Sequence, residues 1–241
     1  MKKQKKTRNN STKKKRIFTL RTTDLWKIYN EGDDNEVNAL RGVSIEIEKG
    51  EVVAIMGESG SGKTTLLNCA SGIDIPTRGD VFIAGKNIAN MKDSVRTKYR
   101  AEKMGFVFQT FNLIPVLSSL ENVELPLLIT RREPKSSRIR AKELLDLVGL
   151  GDRLDHKPSE LSGGQRQRVT IARALVNEPE VIWADEPTGN LDTKTADQIM
   201  ELLMEINRKM GTTIVMVTHS NQIAKFAQRK ILMDSGAIVS R

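Results

Sequence analysis

A chain of 241 residues is long enough for one large α/β domain with room for an inserted subdomain. Its formal charge of +9 sits wholly in the first sixteen residues, where nine cations and no acid account for the entire excess of 39 Lys and Arg over 30 Asp and Glu. No apolar run approaches the ~20 residues of a membrane span, no apolar h-region follows the charged start, and the lone Cys69 permits no internal disulfide; the expectation is a cytoplasmic chain rather than an integral membrane, secreted or disulfide-built one.

In chain order, residues 1–16 combine those cations with Asn9, Asn10, Ser11 and Thr12 and show no apolar periodicity, so they are predicted to be a disordered basic tail. Three readings of it stay open: a solvated tail without a partner, a contact to anionic lipid, or an RNA contact. Residues 17–29 read as a strand leading into a turn, and 30–35 as an acidic loop. Residues 43–48 alternate apolar and polar as a half-exposed strand turning at Lys49-Gly50. The apolar run 52–56 is a buried strand, followed by a helix over 64–70 that closes at Gly72; Cys69 lies on its apolar face and reads as packing. A strand over 80–84, a turn at 85–87, a charged helix over 94–103 and a strand over 105–108 ending at Gln109 come next.

Residues 111–130 differ in character, with Pro115, Pro126 and a helix-like apolar stretch at 120–123. A basic loop is expected over 131–137, then an amphipathic helix marked by Ile139, Leu144, Leu145, Leu147 and Val148 that stops at Gly149. Alternation returns after Leu161: a helix over 165–176, a buried strand over 181–185, a long helix over 193–210 stopped by Gly211, and a β-branched strand over 212–218. A strand pair over 230–234 and 237–240 turns at Ser235-Gly236. This alternation predicts a layered α/β fold with a mostly parallel sheet.

Chemistry begins at Gly57-Glu58-Ser59-Gly60-Ser61-Gly62-Lys63-Thr64, a G-x-x-x-x-G-K-[ST] loop between strand and helix. Its glycines let backbone N–H groups close on a polyphosphate at a helix N-terminus. Lys63 is placed to reach the β- and γ-oxygens and the Thr64 hydroxyl to ligate Mg²⁺. A nucleoside triphosphate is the ligand such a loop predicts, against a chance glycine-rich turn. The run 181–184 delivers Asp185 and Glu186 at a strand end; Asp185 is expected to hold Mg²⁺ and Glu186 to orient or deprotonate the attacking water, where a solvated turn is the bland alternative. Leu161-Ser162-Gly163-Gly164-Gln165 is a second glycine-led helix start with a hydroxyl donor. Since the first loop already cradles one nucleotide, this second anion site is read as serving a nucleotide held by another subunit, against a plain serine-glycine cap.

Phosphate loop, Leu-Ser-Gly-Gly-Gln, Asp-Glu after an apolar strand and a later histidine, in this order, resemble the ATP-binding cassette ATPases over residues 17–241. The resemblance implies a phosphate-loop NTPase core with an antiparallel β subdomain and a helical subdomain inserted at about 110–163. It implies ATP and Mg²⁺, Tyr29 stacking on adenine (Trp26 the weaker choice), and a phosphate loop extending to Thr65. It further implies Gln109 at Mg²⁺ and the attacking water, and His219 at the γ-phosphate. The stretches 108–115, 121–127 and Thr188-Gly189-Asn190-Leu191-Asp192 are similar to the branch holding macrolide-exporter, lipoprotein-release and cell-division ATPases; Glu58 departs from the proline common there and lies on the loop's outer side.

The expectation is therefore an ATP hydrolase that powers a membrane transport or mechanotransmission complex from the cytoplasmic face of the membrane. Two copies would form a head-to-tail homodimer, Lys63 of one facing Ser162 of the other, beside a few-spanning permease with a large extracytoplasmic domain. A soluble cassette ATPase acting on nucleic acid or the ribosome is the alternative; the basic tail is its only support. About half of the apolar residues Phe111, Leu113, Ile114, Leu117, Leu120, Leu125, Leu127 and Leu128 are expected in the core. The rest, Leu113 and Leu117 foremost, would line a groove for a permease helix.

Overall fold

The computed structural model describes residues 16–240, so of the predicted basic tail only Arg16 is seen, exposed and 3.4 Å from Glu48. The centre of the fold is β4 (Val52–Met56), buried at all five positions. Val53 and Ile55 enter one apolar cluster and Val52, Ala54 and Met56 the other, as a strand covered on both faces requires. It lies in a six-stranded sheet of order β11-β10-β4-β9-β8-β7, from β7 (Met104–Phe108), β8 (Val181–Asp185), β9 (Thr213–Val217), β10 (Arg229–Asp234) and β11 (Ala237–Ser240). All neighbours pair in parallel except the β10–β11 hairpin. Register sets Ile55, Val217, Asp185 and Phe108 in one row, so Thr218, Glu186 and Gln109 leave the sheet together at its C-terminal edge.

A second, antiparallel sheet is built from β1 (Phe18–Tyr29), β2 (Val37–Val43), β3 (Glu46–Glu48), β5 (Arg78–Ile83) and β6 (Lys86–Asn87). Here the structure corrects the expected strand over 43–48: the ladder breaks at Ser44-Ile45. The buried Thr22 hydroxyl takes the Ile45 N–H and donates to Val43 O, while Ser44 Oγ accepts from the Asp24 N–H, so side chains replace ladder bonds. Strand β2 was not anticipated. Register shifts between Leu25 and Lys27 and between Lys27 and Ile28 disturb the inward-outward alternation that would reveal it.

Helix α1 (Lys63–Ser71) follows β4 and ends at Gly72 in the left-handed conformation. After α2 (Asp93–Lys103), helices α3 (Ser119–Ile129) and α4 (Pro134–Leu147) pack on each other and on α5 (Gly163–Leu175); α6 (Thr193–Met210) follows β8. Residues 134–137, expected in a loop, form the first turn of α4. Pro134 fixes φ at the start, and Glu133 accepts the Lys135 and Ser136 N–H groups at 2.8 and 2.7 Å. Ile139 faces solvent, not the core. Among the described residues no helix is long and apolar enough to cross a membrane.

Candidate functional site

Strand β4 runs straight into the phosphate loop, and the loop's glycines are set by space as well as by torsion. A Cβ on Gly57 (φ 155°) would lie 2.3 Å from Met233 O, and one on Gly62 (φ 96°) 2.6 Å from Ala39 O. Gly62 caps α1 without a side-chain bond, which leaves the first amides of the helix without side-chain acceptors. Lys63 is nearly buried and folds back on the loop, donating to Gly57 O at 2.9 Å and Glu58 O at 2.6 Å.

Around this loop lies a cavity of about 1040 Å³. Tyr29, Glu58, Ser59, Gly60, Gly62, Lys63, Thr64, Thr65, Asp185, Glu186 and His219 line it, so the structure gathers most of the residues singled out from sequence. The Asp185 carboxyl has its pKa raised, chiefly by burial and then by the neighbouring Glu186 charge, with Lys63 and Thr64 opposing. Among the described residues no group of three His, Cys, Asp or Glu forms a metal cluster. The Thr64–Asp185 pair suits a hard cation that takes few protein ligands and completes its shell from phosphate and water.

Glu186 turns the other way, with φ 45°. Its Oε1 lies 2.7 Å from His219 Nδ1 and accepts the His219 N–H at 3.0 Å, and Oε2 accepts from Thr218 Oγ1 at 3.1 Å. The carboxylate is thus aimed by three groups at the end of β9. Tyr29 also lines the cavity, its hydroxyl donating to Asp74 at 2.9 Å and the Lys27 ammonium 4.8 Å from its ring centre. Burial, then Asp74, pushes the phenol up to about 12. Trp26 donates its indole N–H to Asp24 and does not line the cavity.

Two groups of predicted residues lie apart. Gln109 is exposed and outside the cavity wall; its Nε2 donates to Asn190 Oδ1 at 3.2 Å, and Asn190 Nδ2 returns a bond to Gln109 O at 3.0 Å. Ser162, Gly163, Gly164 and Gln165 also lie outside it. Ser162 caps α5 by accepting the Gln165 N–H, while Gln165 Oε1 accepts the Ser162 N–H. Sequence reasoning missed one cavity wall, formed by Val37, Asn38, Ala39 and Arg41 of β2 and by Ser235-Gly236. The Ser235-Gly236 turn was legible in the sequence; its place beside the phosphate loop was not.

Leu113 and Leu117, expected to head the apolar groove, both keep part of their surface exposed. Leu113 is half-buried against the core, Leu117 is also half-buried, and Leu120 and Leu127 are core. A groove of about 460 Å³ opens along β7, between Ile73, Met104, Phe106, Phe108, Pro126 and Ile129, with Arg100 and Arg173 at its walls. Phe106 and Phe108 stack there at 5.8 Å.

The family model described as ABC transporter matches residues 40–189. The chain belongs to that family. This cassette is 48% identical to the lipoprotein-releasing system ATP-binding protein LolD of Alcanivorax borkumensis, over 95% of this chain and 98% of the relative. It is also 48% identical to the ABC transporter ATP-binding protein YbbA of Escherichia coli, over 85% and 90%. Among solved structures it resembles the dimeric bacterial ABC transporter cassette MJ0796, with a TM-score of 0.83 and 45% identity over 92% of this chain and 97% of the other. A second structure of MJ0796, in a post-hydrolysis state bound to ADP and Pi, matches with the same figures. The α/β cassette fold and ATP hydrolysis expected from the sequence both stand, as does the branch that includes LolD.

Proposed function

We propose that this ATPase powers a membrane transport or mechanotransmission complex as a head-to-tail homodimer with two ATP molecules between its copies. The observation carrying this reading is the division of the site. Lys63, Asp185, Glu186 and His219 share one cavity, whereas Ser162 to Gln165 lie outside it. A second copy supplies the missing half.

Tyr29 stacks on the adenine, the loop amides and Lys63 hold the phosphates, and His219 contacts the γ-phosphate. Thr64, Asp185 and Gln109 would hold Mg²⁺, which when bound offsets negative charge building on the phosphates. Glu186 orients a water whose oxygen attacks the γ-phosphorus. The bond to the β-phosphate oxygen breaks and the water's proton passes to the carboxylate. The groove along β7, adjoining Gln109, takes an amphipathic permease helix through apolar anchors, and the chain works on the cytoplasmic face of the membrane. Residues 17–241 form the cassette with a helical insertion near 110–163, and the basic tail 1–16 contacts anionic lipid.

The test is Glu186→Gln, which keeps shape and removes the base. With ATP it should run as a stable dimer in size-exclusion chromatography while hydrolysis is lost. A monomer under saturating ATP, or hydrolysis near the wild-type rate, refutes the assignment.

A further inference from the structure

Gln167 is fully buried on α5, just over one turn from the Ser162 cap, and no role has yet been given to it. Its Nε2 donates to Pro187 O, directly after Glu186, and to Phe108 O at 3.4 Å, directly before Gln109. Both neighbours are acceptors, so the amide can present only its nitrogen to them. Its Oε1 is buried with no partner among the described residues. A buried unpaired acceptor is a cost that an apolar side chain of the same length would avoid, so packing does not explain an amide here. What the amide supplies is two donors.

The next residues on the same helix face continue the pattern. Thr170 Oγ1 shares its hydrogen between Arg166 O at 3.1 Å and Phe111 O at 3.3 Å, and Arg173 donates to Phe111 O at 2.9 Å and Asn112 O at 2.6 Å. The segment so held is not relaxed: Phe111 and Asn112 have φ of 63° and 50°, in the left-handed region, as has Glu186 at 45°. The Gln109–Asn190 pair and the Gly189 N–H to Glu186 O bond at 3.0 Å close the circuit between the two catalytic loops.

We propose that Gln167 is a positioning residue that couples the chain's own hydrolytic groups, Glu186 and Gln109, to the Ser162–Gln165 anion site it lends to a second copy. The inference rests on the dimer reading given above. A nucleotide drawn onto the start of α5 moves a helix whose buried amide holds the carbonyl of the residue next to each catalytic side chain, Phe108 before Gln109 and Pro187 after Glu186. Each ATP site then senses whether its counterpart is filled.

The test compares Gln167→Met with wild type in three measurements. Methylanthraniloyl-ATP affinity of the monomer should stay within about twofold, kcat should fall roughly tenfold with KM little changed, and the Hill coefficient for ATP should drop from about two toward one. A folded variant with wild-type kcat and Hill coefficient overturns the proposal. So does one that loses kcat and ATP affinity in proportion, which is the mark of a merely structural part. If Gln167→Met does not fold, Gln167→Glu decides. Its carboxyl can donate only when protonated, so its activity relative to wild type should rise as pH is lowered, and a pH profile parallel to wild type overturns the coupling role. A wild-type Hill coefficient of one, with no ATP-driven dimer of Glu186→Gln, instead removes the dimer reading and this inference with it.

Discussion

Two helices in this cassette begin with glycines and hydroxyls, and they are not equivalent. At α1 the cap is Gly62, with no side chain to satisfy the first amides, and the site lies within the cavity. At α5 the cap is Ser162, whose hydroxyl and backbone are both engaged with Gln165, and the site lies on the surface. The first helix start is unsatisfied until a phosphate arrives, so it binds by itself. The second already has its Gln165 N–H accepted by Ser162, so an incoming phosphate competes with a bond that exists. Such a site is weak alone and gains only when a whole surface closes over it. A strong half and a weak half suit a clamp whose closure depends on nucleotide.

The largest effect should follow from breaking the strong half. Lys63→Met removes the ammonium that gathers the loop carbonyls. Hydrolysis should fall by about 10²–10³-fold or more, and nucleotide affinity of the monomer should fall with it. Equilibrium binding of a fluorescent ATP analogue checks this; unchanged monomer affinity would contradict the assignment of the strong half.

A smaller and different loss should follow at the weak half. Ser162→Ala gives up the cap, costing ~1 kcal/mol of stability, but leaves the cavity intact. Monomer affinity for ATP should be unchanged, while turnover falls roughly tenfold and ATP-driven dimerisation of the Glu186→Gln chain weakens. Chromatography of the double variant reads the second effect. Equal losses of monomer binding in Lys63→Met and Ser162→Ala would erase the distinction between the halves.

The same contrast governs what could be read from sequence. Lys63, Asp185, Glu186 and His219 belong to local signals: Lys63 starts the helix after the glycine-rich loop, the other three lie at or just beyond the end of an apolar strand, and parallel register brings the strand ends together. Gln109 was legible as a strand end, but its partner Asn190 is 81 residues away and no local pattern names it. Gln167 lies in Gln165-Arg166-Gln167-Arg168, a wholly polar run that does not reveal which side chain turns inward. Strand β2 and the wall it builds were lost because bulges disturb the period-two pattern. The groove along β7 is built by residues from distant segments, while Leu113, apolar and next to a loop, packs partly against the core. What escaped was, in each case, decided by tertiary neighbours rather than by the segment itself.

The smallest effect concerns the carboxylate within the strong half, and it should improve stability while removing function. Asp185 is largely buried, beside Glu186, and its pKa in the fold is raised. A carboxyl whose folded pKa exceeds its unfolded value binds its proton more tightly in the native state. The ionised form therefore costs stability at pH above the folded pKa, and the cost fades as pH falls through that value toward the unfolded one. Asp185→Asn removes the charge and keeps the shape. Without nucleotide and with EDTA present, the variant should melt above wild type at neutral pH, by about 2–4 °C for each ~1 kcal/mol relieved in a domain of this size. The gap should narrow as pH is lowered into the acid range. Adding Mg²⁺ and ATP should reverse the order, since wild type then gains ligand-linked stability that the variant cannot match. Differential scanning fluorimetry across pH, with and without Mg²⁺ and ATP, reads all three. A gap independent of pH would mean that Asp185 carries no burial penalty. Equal stabilisation of both proteins by Mg²⁺ and ATP would mean that it holds no metal.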